Sequence, residues 1–495
     1  DNSHIEGAPV IVEFNPTYNT LFGSLEYENR FGLVSTDFTL IKPGSVHLAN
    51  GGYLILQAKD ILSTPFLWEG LKKILKTKSI SIENLRDQLG LVSISSLKPE
   101  PIHIDIKVVL IGSDYLYQLL YELDEDFRKL FKIKVDFDDE MPASRHNLIC
   151  LAGFISGLCK RENLLPFSKD AVIKVAEYSS RLVEDQHKLS TRFNNIIEIL
   201  IEANAWAQME GQKLVNGENV KKAIREKEYR SNKYDEKWME MLKDGTIMID
   251  TDGEVVGQIN ALSIIEMGDV VFGKPLRITA TTFMGESGIV NVEREVAMSG
   301  TTHSKGVMIL SGYIGEQYAQ EVPLALNANI TFEQLYGEVD GDSASSAELY
   351  AILSSLAEVP IKQGIAVTGS VNQKGEIQPV GGVTHKIEGF FNLCKKRSLT
   401  REQGVIIPRK NIHNLVLKDE VIEAVREGKF HIYPIDHIDE GIEILMGLPA
   451  GKKLEDGFFE KGSVHEKAYN KIRQYALTMA NFGKEDSEDN ISQKS

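Results

Sequence analysis

Short apolar runs and helical stripes alternate along the first part of this chain. Val10-Ile11-Val12, Tyr53-Leu54-Ile55-Leu56 and residues 104–111 have the length and branched apolar content of short buried strands. Helical stretches at 67–75 and 114–123 fall around them, which predicts an α/β region over 1–140. From Pro142 the period lengthens, and helices are predicted at 147–162, 170–185, 191–210 and 216–228. The third carries Phe193, Ile196, Ile197, Leu200, Ile201 and Ala205, a wide apolar face suited to a packed bundle.

The polar stretch 230–244 reads as a linker or short helix. From Thr246 to Gly447 glycines multiply and the pattern turns to β, with strands predicted at 254–261, 276–282, 306–311 and 364–370. Two helices interrupt them, one over 345–357 and one carrying Val383, Ile387, Phe390, Phe391 and Cys394. One more helix is predicted at 464–479, and the polar run 484–495 is expected to be disordered. There are no internal repeats. The four regions are 1–140, 141–235, 236–450 and 451–495, a multidomain α/β and α+β chain.

Composition narrows the chemistry. The 495 residues carry a net charge of −16 and no Lys/Arg-rich block, so nucleic acid is not an expected partner. No apolar run reaches membrane-spanning length, and no membrane partner is expected. The three cysteines, Cys150, Cys159 and Cys394, form neither a disulfide framework nor a CxxC site and fit a reducing compartment, hence an expected cytoplasmic location. The chain starts at Asp1 without a signal peptide or initiator Met, so a fragment or processed product is expected.

Two turns carry candidate chemistry. In Glu338-Val339-Asp340-Gly341-Asp342-Ser343-Ala344-Ser345, Gly341 permits an unusual backbone and Asp342 or Ser343 can cap the following helix. The same turn can expose the Ser343 hydroxyl beside unpaired N–H groups able to hold an oxyanion. Taken alone, the segment fits an ordinary capping serine better, because serine is a common N-cap residue. In Gly381-Gly382-Val383-Thr384-His385-Lys386, the lysine lies three residues after Val383 and four before Phe390, on the apolar stripe. A buried lysine is driven towards its neutral form, which accepts a proton from a serine. A lysine snorkelling from the edge of a core is the alternative. A histidine-dependent serine hydrolase fits poorly, because Asp436 directly precedes His437 instead of lying three residues before it.

These segments resemble the Lon protease family. Val339-Asp340-Gly341-Asp342-Ser343 is similar to its nucleophile turn, Gly364-Ile365-Ala366-Val367-Thr368-Gly369 to a strand bearing a threonine, and Val380 to Lys386 to its lysine helix. Ser299 to Val307 also fits. The resemblance covers about residues 246–447. It implies Ser343 as nucleophile, Lys386 as general base, and Thr368 as a hydrogen-bonding partner that orients the Lys386 amine, with Asp342 in support.

Residues 1–235 resemble the AAA+ module of that family, an α/β part followed by a helical lid. Leu48 to Ala58 matches a strand that normally ends in Asp-Glu, whose carboxylates serve Mg²⁺ and water. Here Gln57 and Ala58 stand there, and no GxxxxGK[ST] occurs in the chain. Arg128 and Arg192 occupy the places of an arginine finger and a second nucleotide-sensing arginine, although surface or interdomain ion pairs explain both as well. No cofactor is therefore expected; ATP and Mg²⁺ enter only if a phosphate loop lies upstream. The expectation is a serine–lysine endopeptidase in protein quality control. It would act on unfolded proteins without ATP hydrolysis, as a homo-oligomer, by resemblance a hexamer. The alternatives are an ATP-dependent unfoldase-protease with its phosphate loop upstream, or a proteolytically silent ring-shaped holdase.

Overall fold

Apolar side chains on both faces of one sheet organise the C-terminal half of the chain. The structure is a computed structural model and describes residues 6–30, 33–82, 97–268, 270–455 and 457–492. Seven strands form this sheet: β1 (Gln258–Met267), β2 (Val270–Met284), β3 (Gly288–Asn291), β4 (Leu326–Phe332), β5 (Ile365–Val367), β6 (Gly404–Pro408) and β7 (His431–Ile435). Their spatial order is β3-β4-β2-β1-β5-β6-β7. The pairs β1/β2 and β2/β4 are antiparallel, while β1/β5, β5/β6 and β6/β7 are parallel.

Side chains alternate across a strand. Ile259, Ala261, Ile365, Val367 and Ile406 therefore enter one core, and Leu262, Ala366, Val405 and Ile407 another. Two buried faces need two helical layers. The first core takes its cover from helices Thr301–Tyr318, Ser345–Ala357 and Val464–Ser492, and the second from Val383–Arg397.

Ahead of the sheet, helices α1 (Arg145–Arg161), α2 (Lys169–Leu182), α3 (Phe193–Met209) and α4 (Gly217–Ser231) pack together. Ser144, Ser168 and Asn216 cap α1, α2 and α4 through their side chains. Leu151, Ile155, Val175, Ile196, Leu200 and Val220 fill the core between them. The stretch expected as linker or short helix forms α5 (Lys233–Lys243), which buries Trp238, Met239 and Leu242 with Ile249 and Leu393. Continuing the series, α6 is Thr301–Tyr318, α7 is Ser345–Ala357 and α8 is Val383–Arg397.

Contacts divide the chain into two units, residues Asp1–Phe137 and Asp138–Ser495. In the first, Val10–Glu13, Tyr53–Gln57 and Lys107–Ile111 form a parallel sheet with Tyr53–Gln57 at its centre. Leu54 and Leu56 pack with Leu67, Leu71 and Ile74 of helix Leu67–Thr77. Val10, Val12, Val109 and Ile111 are 43–58% exposed. Strands expected to be buried thus bury one face only, because the core of this unit among the described residues lies on one side of them.

Two further expectations are corrected. Residues 306–311 belong to helix α6, not to a strand: the β-like run Val307-Met308-Ile309-Leu310 hides a helical stripe of Val307, Leu310 and Ile314, all buried. The C-terminal helix runs Val464–Ser492, past 479 and into the stretch expected to be disordered. Extending an existing helix requires only propagation, which polar residues sustain. Residues 493–495 lie outside the described residues. Among the described residues no helix is long and apolar enough to cross a membrane.

Candidate active site

The serine turn is built by glycines and one aspartate. Gly341 has φ +96°, a region that L side chains avoid. Gly300, at the head of α6, donates its N–H to Val339 O (2.7 Å), and a Cβ there would lie 2.4 Å from the Asp340 carboxylate. Asp340 Oδ1 in turn accepts the Thr302 N–H at 3.2 Å. The turn is thus locked to the start of α6 before α7 begins. Ala344 holds the N-cap position of α7 and no side chain caps it. Ser343 is therefore free of the capping role that its sequence position allowed. Its neighbours are occupied: Ser345 Oγ accepts from Val371 N (3.1 Å), and Ser346 Oγ donates to Gly369 O (2.7 Å).

The lysine arrives from the other helical layer. Gly382 opens α8 with φ +69°. Gly389 and Gly273 let the helix lie against β2; a Cβ on Gly389 would stand 2.2 Å from Gly273 O, and one on Gly273 2.1 Å from His385 O. Backbone contact at this distance fixes the height of α8 over the sheet. Lys386 is 3% exposed, so it does not snorkel. Its Nζ lies 3.1 Å from Ser343 Oγ and 3.2 Å from Thr368 Oγ1. Thr368 follows β5, is buried, and donates its hydroxyl to Ser343 O at 3.4 Å. Gly369 N–H donates to the same carbonyl at 2.9 Å. The structure thus brings together Ser343, Lys386 and Thr368, and Asp342 sits beside them, accepting a hydrogen bond from Ser370 Oγ at 2.8 Å.

The electrostatics follow from burial without a direct partner. Among the described residues Lys386 makes no ion pair. Burial drives its pKa down to about 8, opposed by the negative charges of Glu184 and Asp342. An amine with this pKa is substantially neutral near pH 8 and lies within hydrogen-bond reach of a hydroxyl, the geometry needed of a general base. Asp342 N–H and Ser343 N–H donate to no acceptor among the described residues, leaving two backbone donors beside Ser343 Oγ. His437 is engaged elsewhere: its Nδ1 accepts from Asp439 N (3.3 Å) at the start of helix Ile438–Met446.

Reasoning from the sequence missed what holds α8 on its outer side. Arg181, at the end of α2, grips the buried Glu388 with two 2.7 Å bonds and donates to Val416 O at 2.8 Å. Glu184 accepts the Gly382 N–H at 3.2 Å. Periodicity within one helix carries no sign of a partner 207 positions away.

The positions compared with a nucleotide site are arranged differently. Gln57 is exposed at the end of its strand, and Ala58 is buried as the first residue of helix Ala58–Ser63. Neither has a carboxylate for Mg²⁺, so these residues do not fit a metal–nucleotide group. Arg128 donates Nε to Tyr121 O (2.7 Å) with its guanidinium 4.1 Å from the Tyr121 ring centroid. Arg192 pairs with Asp139 at 2.8 Å on the surface.

Family models match within the first three of the four regions. The family models that match are the LonB-like AAA domain over residues 6–138, the archaeal LonB AAA+ ATPase lid domain over 166–230, and the Lon protease (S16) C-terminal proteolytic domain over 336–447. A Lon protease homolog of Escherichia coli K12 is 34% identical over 441 residues, 86% of this chain and 72% of that protein. A Lon protease homolog of Haemophilus influenzae is also 34% identical, over 86% of this chain and 69% of its own length. The archaeal Lon protease of Archaeoglobus fulgidus is 26% identical over 92% and 70%.

Proposed function

Because this chain belongs to the Lon protease family, we propose that it is a serine–lysine endopeptidase that cleaves unfolded polypeptides without hydrolysing ATP itself. The observation that carries this reading is the contact between Ser343 Oγ and the desolvated Lys386 Nζ.

In the proposed cycle the neutral Lys386 amine takes the Ser343 hydroxyl proton as Oγ attacks the scissile carbonyl carbon. The N–H groups of Asp342 and Ser343 receive the oxyanion. The Lys386 ammonium then returns its proton to the leaving amine as the C–N bond breaks, which leaves an ester on Ser343. Water, deprotonated by the same amine, attacks that ester and frees the serine. Thr368 keeps Nζ aimed at Oγ throughout. Its hydroxyl oxygen accepts a hydrogen bond from one amine N–H, so the nitrogen lone pair is left to face Ser343.

ATP independence rests on the side chains at the strand end. Gln57 and Ala58 supply no charge to hold Mg²⁺ or polarise water, and no step is assigned to a nucleotide. The first unit and helices α1–α4 then serve as scaffold, and assembly into a hexameric ring would restrict entry to chains already unfolded.

Casein digestion tests both parts. The unaltered chain is expected to degrade casein, and Ser343→Ala and Lys386→Ala to leave it intact. Survival of casein with all three chains, or equal digestion by all three, would remove the peptidase reading. Strong stimulation by ATP with Mg²⁺ would overturn the ATP-independent part alone.

A further inference from the structure

The N-terminus of the lysine helix has no cap of its own. Gly382 stands at the N-cap position of α8 and can offer no side chain. The missing acceptor comes from the helical subdomain. After α2 ends, the chain turns through Glu184, whose backbone sits at φ +49°, a conformation costly for a residue with a side chain. That turn aims the Glu184 carboxylate at α8: Oε2 accepts the Gly382 N–H at 3.2 Å, and Oε1 lies 3.4 Å from His385 Nε2.

Neighbouring bonds fix the turn in place. Asn414 Nδ2 donates to Glu184 O at 2.9 Å, and Gln186 N–H donates to His413 O at 2.9 Å. Gln186 Nε2 reaches Leu415 O at 2.7 Å. Three positions before Glu184 in the chain, Arg181 holds Glu388 on the same helix. The turn thus delivers one carboxylate to the first turn of α8, four residues from Gly382 to Lys386.

We propose, on the serine–lysine reading above, that Glu184 is a positioning residue for the proteolytic base: it caps the lysine helix from the helical subdomain and sets a negative charge on the lysine side of the dyad. A carboxylate at a helix N-terminus is favourable, and here it also acts on the amine one turn further in.

Lys386 faces the charges of Glu184 and Asp342, both of which favour its ammonium form, against burial, which disfavours it. Glu184 faces Arg181 and Lys386, Glu266 of β1, and His385. Burial holds the His385 pKa down at about 4, so its ring is neutral where Lys386 titrates. Glu184 thereby works against desolvation and keeps the amine basic enough to take a serine proton.

The test is the pH dependence of kcat/KM for casein or a casein-derived peptide, measured on the full chain and on Glu184→Gln. The amide of the variant still accepts the Gly382 N–H but carries no charge. The acid limb is expected to move down by about half a pH unit, roughly a threefold change in the active fraction at a pH below the midpoint, while the high-pH plateau falls. A profile of unchanged midpoint and lower amplitude would show a purely structural role and overturn the proposal. Should Glu184→Gln fail to fold, Glu184→Asp keeps the charge but withdraws it by one methylene. Its midpoint is expected slightly below that of the unaltered chain, and a midpoint equal to that of the unaltered chain overturns the proposal as well. Ser343→Ala and Lys386→Ala keep the two readings apart. If either variant cleaves like the unaltered chain, the dyad itself is wrong; if both are inactive and the Glu184 variants titrate like the unaltered chain, only the role of Glu184 falls.

Discussion

Two buried charges lie two residues apart on α8, and the protein treats them in opposite ways. Glu388 is 5% exposed and Lys386 3%. Glu388 meets the guanidinium of Arg181 in a two-bond clasp, accepts the Lys418 N–H at 2.9 Å, and its pKa is held low against burial by Arg181. Among the described residues Lys386 meets two hydroxyls and no carboxylate, and burial takes its pKa down to about 8. Depth of burial is the same, so the supply of partners decides the outcome. A fully paired charge becomes a strut between the helical subdomain and the sheet. An unpaired one becomes a group that changes protonation within the working pH range.

The comparison breaks most sharply at Lys386. Replacing it with alanine should reduce kcat for casein cleavage by about 10³-fold or more, with folding retained, because the dyad acts as a unit. Glu388→Gln should do the reverse. It leaves a buried guanidinium with half a partner and should lower stability by about 3 kcal/mol, read from urea denaturation, while the remaining folded chain still cleaves. Thr368→Val sits between these cases. It removes an acceptor from Nζ without touching either charge, and kcat should fall about tenfold, the worth of one hydrogen bond. The smallest effect is expected from ATP with Mg²⁺, which should leave the rate of casein cleavage unchanged. The relevant strand end carries Gln57 and Ala58.

Much of this site could be read before the fold was known. The apolar stripe of α8 already pointed Lys386 inward, and Gly341 already marked a turn able to present Ser343. Helix α7 begins and ends where the pattern placed it, at Ser345–Ala357. What the residues alone left open was whether Ser343 capped that helix. The N-cap position falls at Ala344 and no side chain caps it, so the hydroxyl is left for Lys386. Helix α6 was misread because its β-branched run has strand composition, while the stripe that buries it recurs every three to four residues. The open face of the first sheet was equally invisible, since a run of Val and Ile does not say how many layers will cover it. Arg181 and Glu184 were out of reach for a different reason: each acts on residues about 200 positions away, through a turn whose geometry only the assembled fold supplies.

The link between Lys386 burial and serine activation is tested most directly by the pH profile of kcat/KM for casein cleavage by the unaltered chain. Deprotonation of a single lysine whose pKa burial has brought to about 8 predicts activity that is low at pH 6, rises tenfold per pH unit, bends near pH 8 and levels above it. A flat profile from pH 6 to pH 9, or a bend in the range of an exposed lysine near pH 10, would contradict it.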